Sequence, residues 1–335
     1  MRSAVAAPAA RLRTGDSRTL WSWVRLGCGA VILAALIWRL GTGPFLAGIR
    51  MINIWSLAAA AGIVALTTVC CAWRWCLVAR GLGVGLPLRT AIAAYYRSQF
   101  LNSVLPGGVV GDVHRAVRHG QDTGDLSHGL RAVAWERSAG QVVQAALTII
   151  VLLALPSPLR ASMPIIAGVA GAGVLAVVLL ARVLPNSGPS RWARTLRAAG
   201  TDLRDGLFAR GAWPGIVLTS AVVVAGHTAT FLIAARTAGS DAPLSRLLPL
   251  AMLVLLATAL PTNIGGWGPR EGVAAWAFGA AGLGAAQGLS TAVVYGVMGL
   301  VASLPGAVVL VVARRRRTSL AGAERPEPER VAAHG

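Results

Sequence analysis

Asp112, Glu136 and Glu271 are the carboxylates of this chain that stand closest to apolar sequence, and Arg137 and Arg270 adjoin two of them. An unpaired charge in hydrocarbon costs about 2.5–3.5 kcal/mol even on lenient insertion scales, so each carboxylate calls for a partner. Neighbours in sequence need not face one another on a helix. One arrangement therefore pairs the charges across the two halves of the chain, Glu136 with Arg270 and Glu271 with Arg137. Carboxylates and arginines beside a broken helix can bind a phosphate headgroup, relay a proton, or lock two halves in alternate states. The plainer alternative is an interfacial ion pair that fixes helix register. Binding is favoured because the charges sit at glycine breaks.

Those breaks are Gln99-Phe100-Leu101-Asn102-Ser103-Val104-Leu105-Pro106-Gly107-Gly108-Val109-Val110-Gly111-Asp112 and Leu260-Pro261-Thr262-Asn263-Ile264-Gly265-Gly266-Trp267-Gly268-Pro269-Arg270-Glu271. Gly107, Gly108 and Gly111, with Gly265, Gly266 and Gly268, permit tight turns and leave backbone amides bare, which suits contact with an anion. No Gly-Lys-Ser/Thr follows, so a nucleotide loop is rejected. Pro106 and Pro261 each free a carbonyl in the preceding turn. Asn102 and Asn263 can satisfy those freed groups or bind polar groups of a substrate. His114 and His119 read as headgroup or solvent contacts, Tyr95 and Tyr96 as interface anchors. His227, isolated in an apolar run, reads as a hydrogen-bond partner to a neighbouring helix, with proton coupling as the alternative. The four cysteines lack metal-ligand spacing and read as small packing residues; no metal and no cofactor is expected.

The elements that must hold these groups are membrane helices. The chain is 55% hydrophobic and 13% charged, the balance of a polytopic membrane protein. Apolar runs at Leu26 to Trp38, Met51 to Trp73, Ser138 to Leu155, Met163 to Ala181, Gly211 to Ala235, Leu247 to Pro261 and Leu289 to Ala313 approach or exceed the roughly 20 residues needed to cross a bilayer. Irregular backbone at membrane depth is tolerated only where protein or a wet cavity surrounds it. Two such breaks in corresponding positions of two halves point to a transport site. If Ala91 to Gly111 and Leu247 to Leu283 each enter and leave by the same side, six crossings remain and both termini are cytoplasmic. Then 25 of the 31 basic residues, all arginine and including Arg74 and Arg97, fall on the cytoplasmic side. Only Arg39, Arg50, Arg160, Arg236, Arg246 and Arg270 do not. The formal charge of +19 thus reads as topology and contact with anionic phospholipid, not nucleic acid. Basic amphipathic patches at His114 to His119, Leu130 to Trp135 and Arg191 to Arg197 fit that face. The expected organisation is a disordered cytoplasmic N-terminus (1–20), one transmembrane domain (21–317) and a disordered cytoplasmic tail (318–335).

Taken in order, the first break, Glu136-Arg137 and the second break resemble the lysylphosphatidylglycerol synthase transmembrane family, also described as flippase-like integral membrane proteins; the likeness covers about residues 20 to 315. The resemblance implies an all-α polytopic fold with about six crossings, two re-entrant helical hairpins and an inverted repeat. It also implies movement of a phospholipid or lipid-linked headgroup between leaflets. The positions it marks are Asn102, Pro106, Gly107, Gly108, Gly111, Asp112, Glu136, Arg137, Pro261, Gly265, Gly266, Gly268, Arg270 and Glu271; Arg115 and Asn263, beside them, complete the expected site. Members that synthesise aminoacylated lipid carry a large cytoplasmic transferase domain, which is not found after Arg317. The expectation is a non-enzymatic translocator in the plasma membrane, either as a homo-oligomer or beside a lipid-modifying enzyme. Two rivals stay open: a membrane-embedded glycosyl or acyl transferase using Asp122 with Asp125 or Asp202 with Asp205, and a non-transporting accessory subunit.

Overall fold

Helix boundaries follow the local chemistry of the chain. In the computed structural model, which describes residues 14–106, 108–160, 165, 168, 171, 200, 211–259 and 265–323, every regular element among the described residues is a helix. These are α1 (Thr14–Leu40), α2 (Gly43–Arg50), α3 (Ile54–Gly81), α4 (Leu88–Val104), α5 (Val110–Thr123) and α6 (Leu126–Ala154). After them come α7 (Trp213–Thr237), α8 (Leu244–Thr258), α9 (Pro269–Ala280), α10 (Ala285–Ser303) and α11 (Pro305–Ala323). Asn53 caps α3 by accepting from the Ser56 amide at 2.8 Å, and Asp125 caps α6 through the Ser127 and His128 amides. α1 and α11 reach into the stretches expected to be disordered; residues 1–13 and 324–335 lie outside the described residues.

Four helical stretches are long and apolar enough to cross a membrane: α3, α6, α7, and α10 with α11 as Ala285–Arg315. At about 1.5 Å per residue, the 28 residues of α3 span about 42 Å, more than the hydrocarbon needs. A fifth stretch is bent. Gly27–Leu40 and Gly43–Arg50 meet at 94°, so the chain turns sharply just beyond the first apolar run, Leu26 to Trp38, which itself lies within α1. Gly41 takes φ +71° and Pro44 follows at the start of α2, which together turn the chain. Apart from Ile165, Gly168 and Gly171, the expected crossing at Met163 to Ala181 lies outside the described residues.

Polarity is arranged inside out relative to a water-soluble protein. Val142, Leu218 and Val308 are more than 60% exposed, while Thr67, Thr68, Arg74, Ser98, Glu136, Ser220 and Glu271 are buried. Apolar surface costs nothing against lipid, whereas polar side chains find partners only between helices. The chain is thus a multi-pass membrane protein.

Two hairpins complete the fold. α4 and α5 double back so closely that a Cβ on Gly111 would stand 2.1 Å from the Ser98 carbonyl oxygen. α8 and α9 form the other pair, cored by Leu247, Leu250, Val254, Ala274 and Phe278 against Phe231 of α7. The turns of the two hairpins touch, with Gly265 against the Ser103 and Val104 carbonyls.

Candidate functional site

Glu136 is fully buried on α6 and anchors four elements at once. Its Oε1 accepts from Arg74 Nε of α3 at 2.9 Å and from the Tyr95 hydroxyl of α4 at 2.6 Å, and Arg74 Nη2 adds a second bond. Its Oε2 accepts from Arg115 Nη2 of α5 at 3.0 Å. Arg74 Nη1 reaches on to Ser220 Oγ of α7 at 2.9 Å. The guanidinium of Arg115 lies over the rings of Tyr95 and Trp75, at 4.0 and 4.4 Å from their centroids. Such stacking suits arginine, whose planar charge is weakly hydrated.

Asp112 is the second node. Oδ1 accepts from Ser98 Oγ and Arg115 Nη2, both at 3.1 Å; Oδ2 accepts from Asn102 Nδ2 at 2.8 Å and from Arg137 Nη1. Asn102 Oδ1 in turn accepts the Gly111 amide at 2.7 Å, tying the start of α5 to α4. Arg137 differs from the other arginines of this network: its side chain is 38% accessible, against 7% for Arg74 and 0% for Arg115. Within this network three guanidinium groups meet two carboxylates, an excess of one positive charge.

The third cluster lies at the start of α9. Glu271 Oε2 accepts the Gly268 amide at 2.7 Å, closing a capping arrangement, and Oε1 accepts from Arg270 Nε at 2.8 Å and from its Nη2. The Arg270 guanidinium is aimed over Trp267 and Tyr295, at 5.2 and 5.6 Å from the ring centroids. It passes so close to Gly296 that a Cβ there would meet Nη2 at 2.2 Å. The Tyr295 hydroxyl lies 3.3 Å from His227 Nδ1, the interhelical bond expected of that histidine.

Between these clusters lies a cavity of about 350 Å³ lined from both hairpins. Arg74, Arg137 and Arg270 face it together with a single carboxylate, Asp112, and the neutral donors include Asn102, Gln141 and Tyr295. With the carboxylates behind the wall included, Arg74, Arg115, Arg137 and Arg270 meet Asp112, Glu136 and Glu271, an excess of one guanidinium that favours an anion, and the fork geometry of arginine favours phosphate or carboxylate oxygens.

Of the expected site residues, Asn102, Gly108, Asp112, Arg137, Gly265, Gly266 and Arg270 line the cavity. Arg115, Glu136, Gly111, Gly268 and Glu271 stand behind it as supports, and Pro106 is exposed at the turn. Gly107, Pro261 and Asn263 lie outside the described residues. The cross-half pairing is corrected: Arg137 meets Asp112, Glu136 takes Arg74 and Arg115, and Arg270 curls onto its own neighbour Glu271. Arg74, counted as a loop charge, is a buried residue of α3. Tyr95 is a buried donor, not an interface anchor. His119 is also buried, its ring edge-on to Trp75 with centroids 5.2 Å apart. Asp125 is occupied as the cap of α6, and Asp202 with Asp205 lies outside the described residues. All four cysteines are free, and no cluster of potential metal ligands occurs among the described residues.

A family model described as lysylphosphatidylglycerol synthase TM region matches residues 22–306. No curated protein and no solved structure matches the chain.

Proposed function

The chain belongs to the lysylphosphatidylglycerol synthase transmembrane region family, and from that premise we propose that it moves a phospholipid or lipid-linked headgroup between bilayer leaflets. The observation that carries this reading is the cavity between the two hairpins, lined by Arg74, Arg137, Arg270 and Asp112, where the arginines exceed their partner carboxylates by one. A phosphate crossing hydrocarbon alone would pay the full cost of desolvation; one held by guanidinium forks exchanges water for charged donors. The volume falls in the range of sites for small ligands, roughly 300–1,000 Å³, so it suits a headgroup while the tails stay in lipid.

In this reading both hairpins are re-entrant. With the expected run at Met163 to Ala181 counted as a crossing beside α6 and α7, the hairpins enter from opposite faces and form an inverted pair. The arginine distribution supports cytoplasmic termini and anionic phospholipid against the basic face, and a plasma-membrane location goes with this reading. The process is translocation and not group transfer: the buried carboxylates hold arginines or a helix amide and are committed as supports. A self-associated form or a lipid-modifying enzyme as partner fits the same reading.

The test is headgroup accessibility in vesicles reconstituted with the purified protein. Wild type accelerates leaflet exchange over empty vesicles. Arg137→Ala and Arg270→Ala slow it by about tenfold or more, the factor that one lost charge-assisted contact carries. Exchange no faster than in empty vesicles, from folded protein, rejects the reading.

A further inference from the structure

Outside the polar cavity, between α5 and α6, lies a groove of about 390 Å³ whose walls are Val109, Val113, Ala116, Leu130, Val133 and Ala134, with Ala259 at one end. Asp112, Arg137, Gln141 and Ala259 line both spaces, so groove and cavity adjoin at the Asp112–Arg137 pair, which stands between them. Val113, Leu130 and Ala134 are exposed at the outer surface. From Leu130 to Gln141 the groove follows α6 for twelve residues, about 16 Å.

We propose that this groove holds an acyl chain of the translocated lipid while its phosphate engages Arg137, so that the lipid enters sideways from the bilayer. The proposal rests on the translocation reading. Its force is the shape of the combined site, which is apolar along one arm and cationic at the inner end. That pattern matches an amphiphile: a small water-soluble anion leaves the apolar arm unused, and a hydrocarbon chain without a charge leaves Arg137 unmatched.

The Asp112–Arg137 pair is built to part. Asp112 has three further donors, Ser98, Asn102 and Arg115, which keep it satisfied when Arg137 leaves. Arg137 is the guanidinium of the network with the greatest accessibility, and it stands where cavity and groove meet. An incoming phosphate takes one fork of Arg137 without stranding the carboxylate in a dry site.

The experiment uses full-length protein in vesicles containing phospholipid with a photoactivatable group midway along one acyl chain, the adducts being mapped by mass spectrometry. Labelling at Val113, Leu130 and Ala134 exceeds that at Val142 and Leu218 on the outer apolar surface by about tenfold, the factor carried by one charge-assisted contact of the phosphate with Arg137. Ala134→Trp on α6 and Val113→Trp on α5, each at an exposed position, fill the groove from opposite walls. Both lower the labelling and the leaflet exchange while glycerol 3-phosphate still protects the cavity from modification. Equal labelling of groove and outer surface, or adducts that join two copies of the chain across the groove, overturns the proposal. So does wild-type exchange in both tryptophan variants. Enriched labelling without any leaflet exchange in wild type sinks the translocation reading and leaves the groove as a lipid site. Exchange with unenriched labelling does the reverse.

Discussion

Replacing Glu136 with Gln removes one negative charge and changes almost no volume, which makes it the sharpest probe of the buried network. Two guanidinium groups, Arg74 and Arg115, and the Tyr95 hydroxyl converge on a side chain with no exposure. The glutamine amide keeps one acceptor oxygen but turns an N–H₂ group toward guanidinium donors. Removing one partner of a buried pair costs about 3–5 kcal/mol because the remaining charge stays uncompensated. Set against a total stability on the order of 5–15 kcal/mol, that loss is large. The assay is equilibrium unfolding in mixed detergent micelles for wild type, Glu136→Gln, Arg74→Gln and the double variant. Arg74→Gln alone strands the carboxylate against Arg115 only; the double variant removes both charges of the pair and recovers part of the loss. The expected coupling is at least about 1 kcal/mol, above the scatter of roughly 0.3–0.5 kcal/mol seen for independent sites. Additive single effects within that scatter refute the reasoning, since they mean that the two side chains do not feel one another.

Gly111→Ala drives a Cβ into the Ser98 carbonyl, so α4 and α5 must separate and the Asn102 bonds to Gly111 and Asp112 weaken. A loss of about 1–3 kcal/mol is expected in the same unfolding assay, with slower leaflet exchange. Gly296→Ala meets only the mobile end of Arg270, which can swing aside; exchange falls while unfolding shifts by less than about 1.5 kcal/mol. Asp125→Ala frays the first turn of α6, read as faster hydrogen exchange at the Ser127 and His128 amides, and Asp125→Asn restores most of the protection. The His128 side chain, then the His128 and Ser127 amides, hold the Asp125 carboxyl below its ordinary range. Its folded value is the lower one, so the cap is fully formed above about pH 4 and is lost as acid carries the pH through the folded value. Amide protection at the two positions that is already lost as the pH falls toward 4 contradicts that assignment.

The breaks were legible in the sequence because proline and glycine act locally: Pro106 and the glycines after it stop α4 wherever the helix lies in space. The same locality marked Asn102, Asp112 and Arg270 as site residues. The elbow after Leu40 was legible in principle, since Gly41, Gly43 and Pro44 stand together, but the apolar run before it carried more weight than the turn chemistry. Pairing was not legible. Arg74 and Glu136 are 62 positions apart, and only the packing of α3 against α6 decides that an arginine at the end of an apolar run points inward. Arg270 and Glu271, adjacent in sequence, bond because the carboxylate also folds back onto the Gly268 amide and brings the guanidinium with it. Tyr95 offered no signal of its own, for nothing local separates a phenol bound to a carboxylate from one at an interface.

The contact of Gly265 with the Ser103 and Val104 carbonyls leaves the two hairpins sharing a single seam. Closely packed backbone is not continuously deformable, so a seam of this kind has a small number of registers rather than a sliding scale. Glycine at this position is therefore what lets the two hairpins lie backbone to backbone: any larger residue, held at φ +57° with its Cβ 3.3 Å from the Ser103 carbonyl oxygen, would pry them apart.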